Sequence, residues 1–289
     1  MISVVLPVYN NASQLRELIT ELKTVLLEIA TPYEIILVDD ASTDHSLEIC
    51  KQLHKEFNTV KVIALPQNNG QHKAIYKGLQ KAKGEWIVIM DADGQDDPHT
   101  LKALYESSQN GYDAVLVERK SRKSVLLDKI TNRLFYFLWQ LLGQKRANPK
   151  TSNFGIYAKS LIEAILSANF PPYSMQLIAL KLNAPITFIK GEHRASPHSS
   201  YSFKKRWQLA RSAYFLYAYK SLKRFLLIGV VFILLANSIL VRYLLKGHAN
   251  LKYPFLDAVL ISLFMLIGAM FLFLFFSVYN IKKDNLKID

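Results

Sequence analysis

Apolar and polar positions alternate in two rhythms along the first 120 residues. Ile2–Val8 is a run of strand type. Leu15, Leu18, Ile19, Leu22, Val25, Leu26 and Ile29 follow at helical spacing. The pattern then repeats: Glu34–Val38 as strand, Ser46–Phe57 as helix, Val60–Leu65 as strand, Gln71–Lys83 as helix. Glu85–Met90, Pro98–Gln109 and Ala114–Val117 complete it as strand, helix and strand. Such alternation predicts an α/β domain with a mostly parallel sheet and helices on both faces.

The last third reads differently. Phe225–Val241 and Ala258–Tyr279 carry no charge. A hydrocarbon core about 30 Å thick needs roughly 20 helical residues, so both runs are expected to span a bilayer; two buried helices of a soluble core are the alternative. Just before them, Phe203, Trp207, Ala210, Tyr214, Tyr217, Ala218 and Phe225 share one helical face that the basic residues mostly avoid. That suits a helix lying in the membrane interface. The expected organisation is therefore a catalytic domain over 1–200, an amphipathic interfacial helix over 201–224 and a two-helix transmembrane region over 225–289.

Charge sharpens this division. The net charge is +13. Residues 1–200 hold 23 Lys/Arg against 20 Asp/Glu, whereas residues 201–289 hold 13 against 3. Lys204 to Arg224 and the stretch after Asn280 outweigh Arg242, Lys246 and Lys252 between the two runs. By the positive-inside rule, the catalytic domain and both termini lie in the cytoplasm of a multi-pass membrane protein. No basic region precedes the first apolar stretch, so the N-terminus does not read as a signal peptide. The basic surplus flanks the membrane segments, and no nucleic-acid partner is expected. Cys50 is the one cysteine, which excludes an intrachain disulfide and a cysteine-cluster metal site.

The chemistry collects at the strand ends. PVYNN, DDASTD, PQNNG, DADGQDD and ERKSR follow the five predicted strands in order. Ligands of open α/β sheets bind outside the carboxyl ends of the strands, so the five clusters are expected to form one site. Asp91 and Asp93 can both reach one hard divalent cation, with a carbonyl oxygen from Gln95. An acidic turn with helix capping is the bland reading, and Asp97-Pro98 does look like an N-cap followed by a first helical proline. Asp39 can accept hydrogen bonds from a base or a ribose; Asp40 is ambiguous. Ser42, Thr43 or Asp44 is expected to cap the next helix. Pro7 and Tyr9 can flank a base, and Gly70 allows close backbone approach. Arg119 and Arg122 suit a phosphate, as does a second basic spot at 193–206. There is no Gly-x-x-x-x-Gly-Lys loop.

Together SVVLPVYNN, ILVDDASTD, NNGQHKAIYKGL, GEWIVIMDADGQDDP and SSYSFKKR resemble family 2 glycosyltransferases of the GT-A fold, and among them the polyprenyl-phosphate glycosyltransferases. The likeness covers nearly the whole chain. It implies that Pro7, Tyr9, Asp39, Asp40, Gly70 and Gln71 line the nucleotide pocket. Asp91, Asp93 and Gln95 would hold Mg²⁺ or Mn²⁺ on the donor diphosphate. Arg119, Arg122 and Arg194 would approach the acceptor phosphate. The Asn-x-Gly-Gln pattern at Asn68–Gln71 favours a UDP- or dTDP-sugar. Members often have Asp-Phe-Arg where this chain has Asn153-Phe154-Gly155, and a different tripeptide before Tyr201.

The resemblance implies an inverting, metal-assisted transfer of a sugar to a membrane polyprenyl phosphate. One alternative is a membrane glycosyltransferase acting on a sugar hydroxyl, with Asp96 as the candidate base. Another is a non-catalytic nucleotide-binding membrane partner. A homo-oligomer is compatible with the sequence.

Overall fold

The computed structural model describes residues 1–29, 32–119, 151–168, 175–191, 222–246 and 254–285. Its contacts divide the chain into two units, Met1–Gln140 with Gln144–Arg206, and Leu141–Gly143 with Trp207–Asp289. Arg122, Arg194 and the amphipathic stretch over 201–221 lie outside the described residues.

In the first unit the strands are β1 (Ile2–Val8), β2 (Tyr33–Asp39), β3 (Val60–Ala64), β4 (Trp86–Ile89), β5 (Ala114–Arg119), β6 (Thr151–Ala158) and β7 (Ile186–Gly191). The helices are α1 (Ala12–Glu28), α2 (Ser46–Glu56), α3 (Gln71–Leu79), α4 (Thr100–Ser108), α5 (Lys159–Ser167) and α6 (Met175–Lys181). The strands form one sheet in the order β3-β2-β1-β4-β6-β5-β7. β1 to β4 are parallel, β6 runs antiparallel between β4 and β5, and β5 is parallel to β7. The mostly parallel sheet expected from the alternation is present, and the five predicted strands match β1 to β5.

Every residue of β1 is buried, as a strand covered on both faces should be. The helical periodicity of α1 has the matching consequence, since Leu15, Leu18, Ile19, Leu22, Val25 and Leu26 are its buried face. Cys50 is fully buried on α2, and burial pushes its thiol up to about 12. It therefore stays protonated at neutral pH.

The sheet edge opposite the site is closed by one polar cluster. Ser3 and Glu34 face each other across β1 and β2. Glu34 Oε1 accepts from Ser3 Oγ at 2.6 Å and from the Lys83 N–H at 2.7 Å, while Lys61 pairs with Oε2. Burial alone would raise this carboxyl; the donations from Lys61, Ser3 and Lys83 hold it below its ordinary value of 4.5. A depressed carboxyl stabilises the fold above its unfolded value and loses that contribution as pH falls through the folded one. Glu34→Gln is therefore expected to cost about 1–3 kcal/mol at pH 7, with the gap to wild type narrowing below pH 4.5. Urea unfolding at both acidities checks this, and an equal gap at each would contradict it.

The second unit contains α7 (Leu222–Lys246) and α8 (Pro254–Asn285). The Phe232 ring meets Phe264 edge-on at 5.6 Å and stacks on Phe271 at 6.4 Å. Leu227, Leu234, Leu266 and Phe273 point outward, each more than 60% exposed. Among the described residues, no helix is long and apolar enough to cross a membrane. The continuously described side chains cover 226–242 and 259–273, each run shorter than the roughly 20 residues of a span.

Candidate active site

The parallel register puts the ends of β1, β2, β3 and β4 on one edge, and the tight turns there are built by side chains that serve two loops at once. Asn10 turns with φ 55°; its N–H donates to Ser42 Oγ at 3.1 Å and its Oδ1 accepts the Thr43 N–H at 2.9 Å. Asp44 accepts the Ala12 N–H on Oδ2 at 3.1 Å and the Ser46 N–H on Oδ1 at 2.9 Å. It thus satisfies the starts of α1 and α2 together. Burial opposes its charge, but hydrogen bonds from Ser46 and Ala12 hold the carboxyl below its usual range. Of the three cap candidates before α2, Asp44 takes the role, from the position preceding His45.

Ala41 has φ 56°, a left-handed conformation that costs an L-residue roughly 1–2 kcal/mol. Glycine avoids that cost but loses roughly 0.5–1 kcal/mol in chain entropy. Ala41→Gly is therefore expected to raise stability by about 0.5–1 kcal/mol, measurable by urea unfolding. A less stable variant would show that the turn is not strained.

Two adjacent carboxylates at the end of β2 have different partners. Asp39 is 1% exposed; its Oδ2 accepts the Ser42 N–H at 3.2 Å, and its buried Oδ1 has no hydrogen-bond partner. A buried acceptor left unmatched is costly, so this atom is suited to a donor on a bound molecule. Asp40 is also buried, but it faces inward: Oδ1 accepts the Asn69 N–H and Oδ2 the Gly70 N–H, both at 2.8 Å. Gly70 sits at φ 89° and ψ 151°, a region essentially restricted to glycine. Gly70 precedes α3 and offers that helix no side-chain cap, and Asp40 holds the backbone just before it from another loop.

The acidic run after β4 is equally internal. Gln71 Nε2 donates to Asp91 Oδ1 at 2.5 Å, and the Gln95 N–H donates to Asp93 Oδ1 at 3.0 Å. Asp96 is 2% exposed and accepts the Asp91 N–H on Oδ2 at 3.4 Å. Asp97 accepts the His99 N–H at 3.2 Å, and α4 starts at Thr100. The expected start at Pro98 is two residues early, because the lead-in to α4 closes first with shorter-range bonds, from the Thr100 N–H to the Asp97 carbonyl at 3.0 Å and from the Leu101 N–H to the Pro98 carbonyl at 2.9 Å. Among the described residues, the three ligand-type side chains lying within 4.8 Å of one another are Glu21, Asp97 and His99. Asp91 and Asp93 are not in that group.

Pro7 is buried within β1 opposite Val38, whereas Tyr9 is 44% exposed beyond the strand end. Desolvation pushes the His72 imidazole down to about 4, so it carries no charge for a phosphate at neutral pH. Arg119 ends β5 opposite Gly191.

The antiparallel β6 brings in residues that the strand-end argument did not reach. Ile89 pairs with Gly155, which carries Asn153 to the edge where Asp91 begins. A Cβ on Gly155 would lie 2.7 Å from Leu116 Cδ2 and 2.9 Å from the Val115 carbonyl oxygen. The glycine of Asn153-Phe154-Gly155 therefore suits the close packing of β5 and β6.

Residues 3–166 match the family model of Glycosyl transferase family 2. The chain belongs to glycosyl transferase family 2. It is a glycosyltransferase, as the resemblance in its motifs implied. It is similar to an uncharacterized glycosyltransferase of Synechocystis sp., 26% identical over 81% of this chain and 75% of that one. It is also similar to the undecaprenyl-phosphate 4-deoxy-4-formamido-L-arabinose transferase of Edwardsiella ictaluri, 30% identical over 68% of this chain and 62% of that one. Glucosyl-3-phosphoglycerate synthase from Mycobacterium tuberculosis, crystallised with Mn²⁺, uridine diphosphate and phosphoglyceric acid, shares the fold. There the TM-score is 0.55 and the identity 16%, over 75% of this chain and 77% of that one. This family 2 domain accounts for the α/β architecture and its GT-A-like sheet.

Proposed function

We propose that this glycosyltransferase moves a sugar from a UDP- or dTDP-sugar to a polyprenyl phosphate, with inversion at the anomeric carbon. The observation that carries the reading is the presence, in one chain, of a carboxylate-lined family 2 sheet edge and two long helices with uncharged runs. The name of the Edwardsiella relative supports the acceptor. In this reading α7 and α8 cross the bilayer, their outward leucines and phenylalanines meet lipid, and both termini are cytoplasmic.

Asp39 Oδ1 accepts an N–H of the base or a ribose hydroxyl, which ends its isolation. Tyr9 flanks the base. Asp91, Asp93 and Gln95 form an all-oxygen donor set that suits Mg²⁺ or Mn²⁺. Asp91 accepts the Gln71 amide on Oδ1 and Asp93 accepts the Gln95 N–H on Oδ1, and each would serve the cation as a monodentate ligand. A divalent cation there supplies charge neutralisation for the departing diphosphate. The fold shared with the Mn²⁺- and UDP-bound synthase supports this use.

In the transfer, a phosphate oxygen of the lipid forms a bond to the anomeric carbon. The bond from that carbon to the diphosphate oxygen breaks, and its electron pair leaves with the nucleoside diphosphate. A phosphate monoester has a second pKa near ~6, so the nucleophile is largely a dianion that needs no base. Asn153 at the site edge is consistent with that, because an amide cannot take a proton. A sugar-hydroxyl acceptor would need a general base. Asp96, the candidate, is buried and bonded to the Asp91 backbone, which favours the phosphate acceptor. Arg119, Arg122 and Arg194 are proposed to meet that phosphate.

The test uses membranes containing the full chain, a panel of labelled nucleotide sugars, Mg²⁺ and undecaprenyl phosphate. Label entering the organic phase in an acid-labile form is expected. Label found only on a glycan would favour a hydroxyl acceptor and contradict the proposal.

A further inference from the structure

Asp40 and Gln71 were expected to touch the nucleotide, yet the structure turns both toward the protein. Asp40 grips two successive backbone N–H groups, those of Asn69 and Gly70, at 2.8 Å each. The next residue, Gln71, gives its side-chain amide to Asp91 Oδ1 at 2.5 Å. Three strand ends, those of β2, β3 and β4, are thereby joined through one short loop. Gly70 is the residue in that loop with the most backbone freedom, and Asp40 holds the N–H of it and of its neighbour.

We propose that Asp40 and Gln71 act as a positioning relay, in which Asp40 fixes the 69–70 backbone so that Gln71 holds the Asp91 carboxylate in its metal-binding orientation. The inference rests on the reading of Asp91 as a metal ligand. Its physical basis is the geometry of a carboxylate on a single bond. An amide N–H on Oδ1 restricts rotation about that bond, so the carboxylate would be held in one orientation for a bound cation. A neutral amide can do this without adding positive charge beside the metal. The two N–H donors also occupy both oxygens of Asp40. A buried anion so close to the site would otherwise compete with Asp91 for the ion. Asp39, one residue earlier, keeps its unpartnered oxygen for the donor, so the two adjacent carboxylates divide substrate contact and metal positioning between them.

Residues that hydrogen-bond metal ligands typically change metal affinity by about 10–100-fold when removed. The test measures Mn²⁺ binding to the full chain with UDP, from the electron paramagnetic resonance of free Mn²⁺. UDP binding in EDTA is measured alongside. Gln71→Ala is expected to weaken Mn²⁺ by roughly 10–100-fold and to leave metal-free UDP binding within about twofold of wild type. Asp40→Asn and Asp40→Glu alter the same grip in two ways, and whichever folds is expected to weaken Mn²⁺ as well. Combined with Gln71→Ala, it should add little, since two members of one relay are not additive. The relay is overturned if Gln71→Ala binds Mn²⁺ like wild type, or if the Asp40 effect persists undiminished in the Gln71→Ala background. A wild-type chain that binds UDP but no Mn²⁺ would remove the metal reading and the relay together. A general folding defect would instead lower UDP binding and thermal stability in step with Mn²⁺.

Discussion

Asp93→Ala is expected to lower transfer by roughly a thousandfold while leaving the fold and membrane insertion intact. A metal acting on a leaving diphosphate is worth several kcal/mol, and each 1.36 kcal/mol is about tenfold in rate. Asp93 lies in the turn after β4, where its Oδ1 contact is to the backbone of Gln95 only two residues on. The substitution therefore loosens one turn and disturbs no core side chain. Transfer at saturating donor, with circular dichroism on the same sample, measures both halves. Full activity would sink the metal assignment; loss of the dichroism signal would show that the turn supports the fold.

Asp39→Asn is expected to separate stability from binding. The isosteric amide keeps an oxygen for the Ser42 N–H and removes a buried carboxylate oxygen that has no partner. The amide is as unmatched there as the oxygen it replaces, but it is neutral, and burying a charge costs more than burying a neutral polar group, so the variant should be at least as stable as wild type. Donor binding should fall roughly 10- to 100-fold, because a hydrogen bond to a charged group contributes about 1.5–3 kcal/mol. Moreover, the new amide N–H would face the donor's own N–H. Titration calorimetry with UDP and a thermal melt read the two effects. Unchanged UDP affinity would remove Asp39 from the nucleotide pocket.

Much of the first unit was legible because its signals are local. The strand runs and helical spacings up to Ala114 each depend on neighbours within a few residues. The rule that ligands gather at strand ends then located the candidate site without any knowledge of strand order. What sequence reasoning missed depends on contacts between distant residues. Nothing local shows that β6 runs antiparallel between β4 and β5, and only the family resemblance pointed to Asn153 as part of the region that meets sugar and acceptor. Asp40 looked equivalent to Asp39, since both end the same strand. Only the meeting with Asn69 and Gly70 distinguishes them. Asp97-Pro98 marks the lead-in to α4 and not its first α-helical residue, because a turn and a helix N-terminus use the same residues. The described residues do not cover Arg122, Arg194 or the interfacial stretch, and their roles stand on the motifs and the family likeness.

In the proposed reaction a sugar, without its phosphate, passes to a lipid phosphate. The most direct measurement is mass spectrometry of the lipid product made by the purified full chain from undecaprenyl phosphate and a UDP-sugar with Mn²⁺. The expected product has one phosphorus atom and is heavier than the acceptor by one glycosyl residue, and UDP is released with it. A product with two phosphorus atoms and release of UMP, or a sugar found only on a glycan hydroxyl, would contradict it.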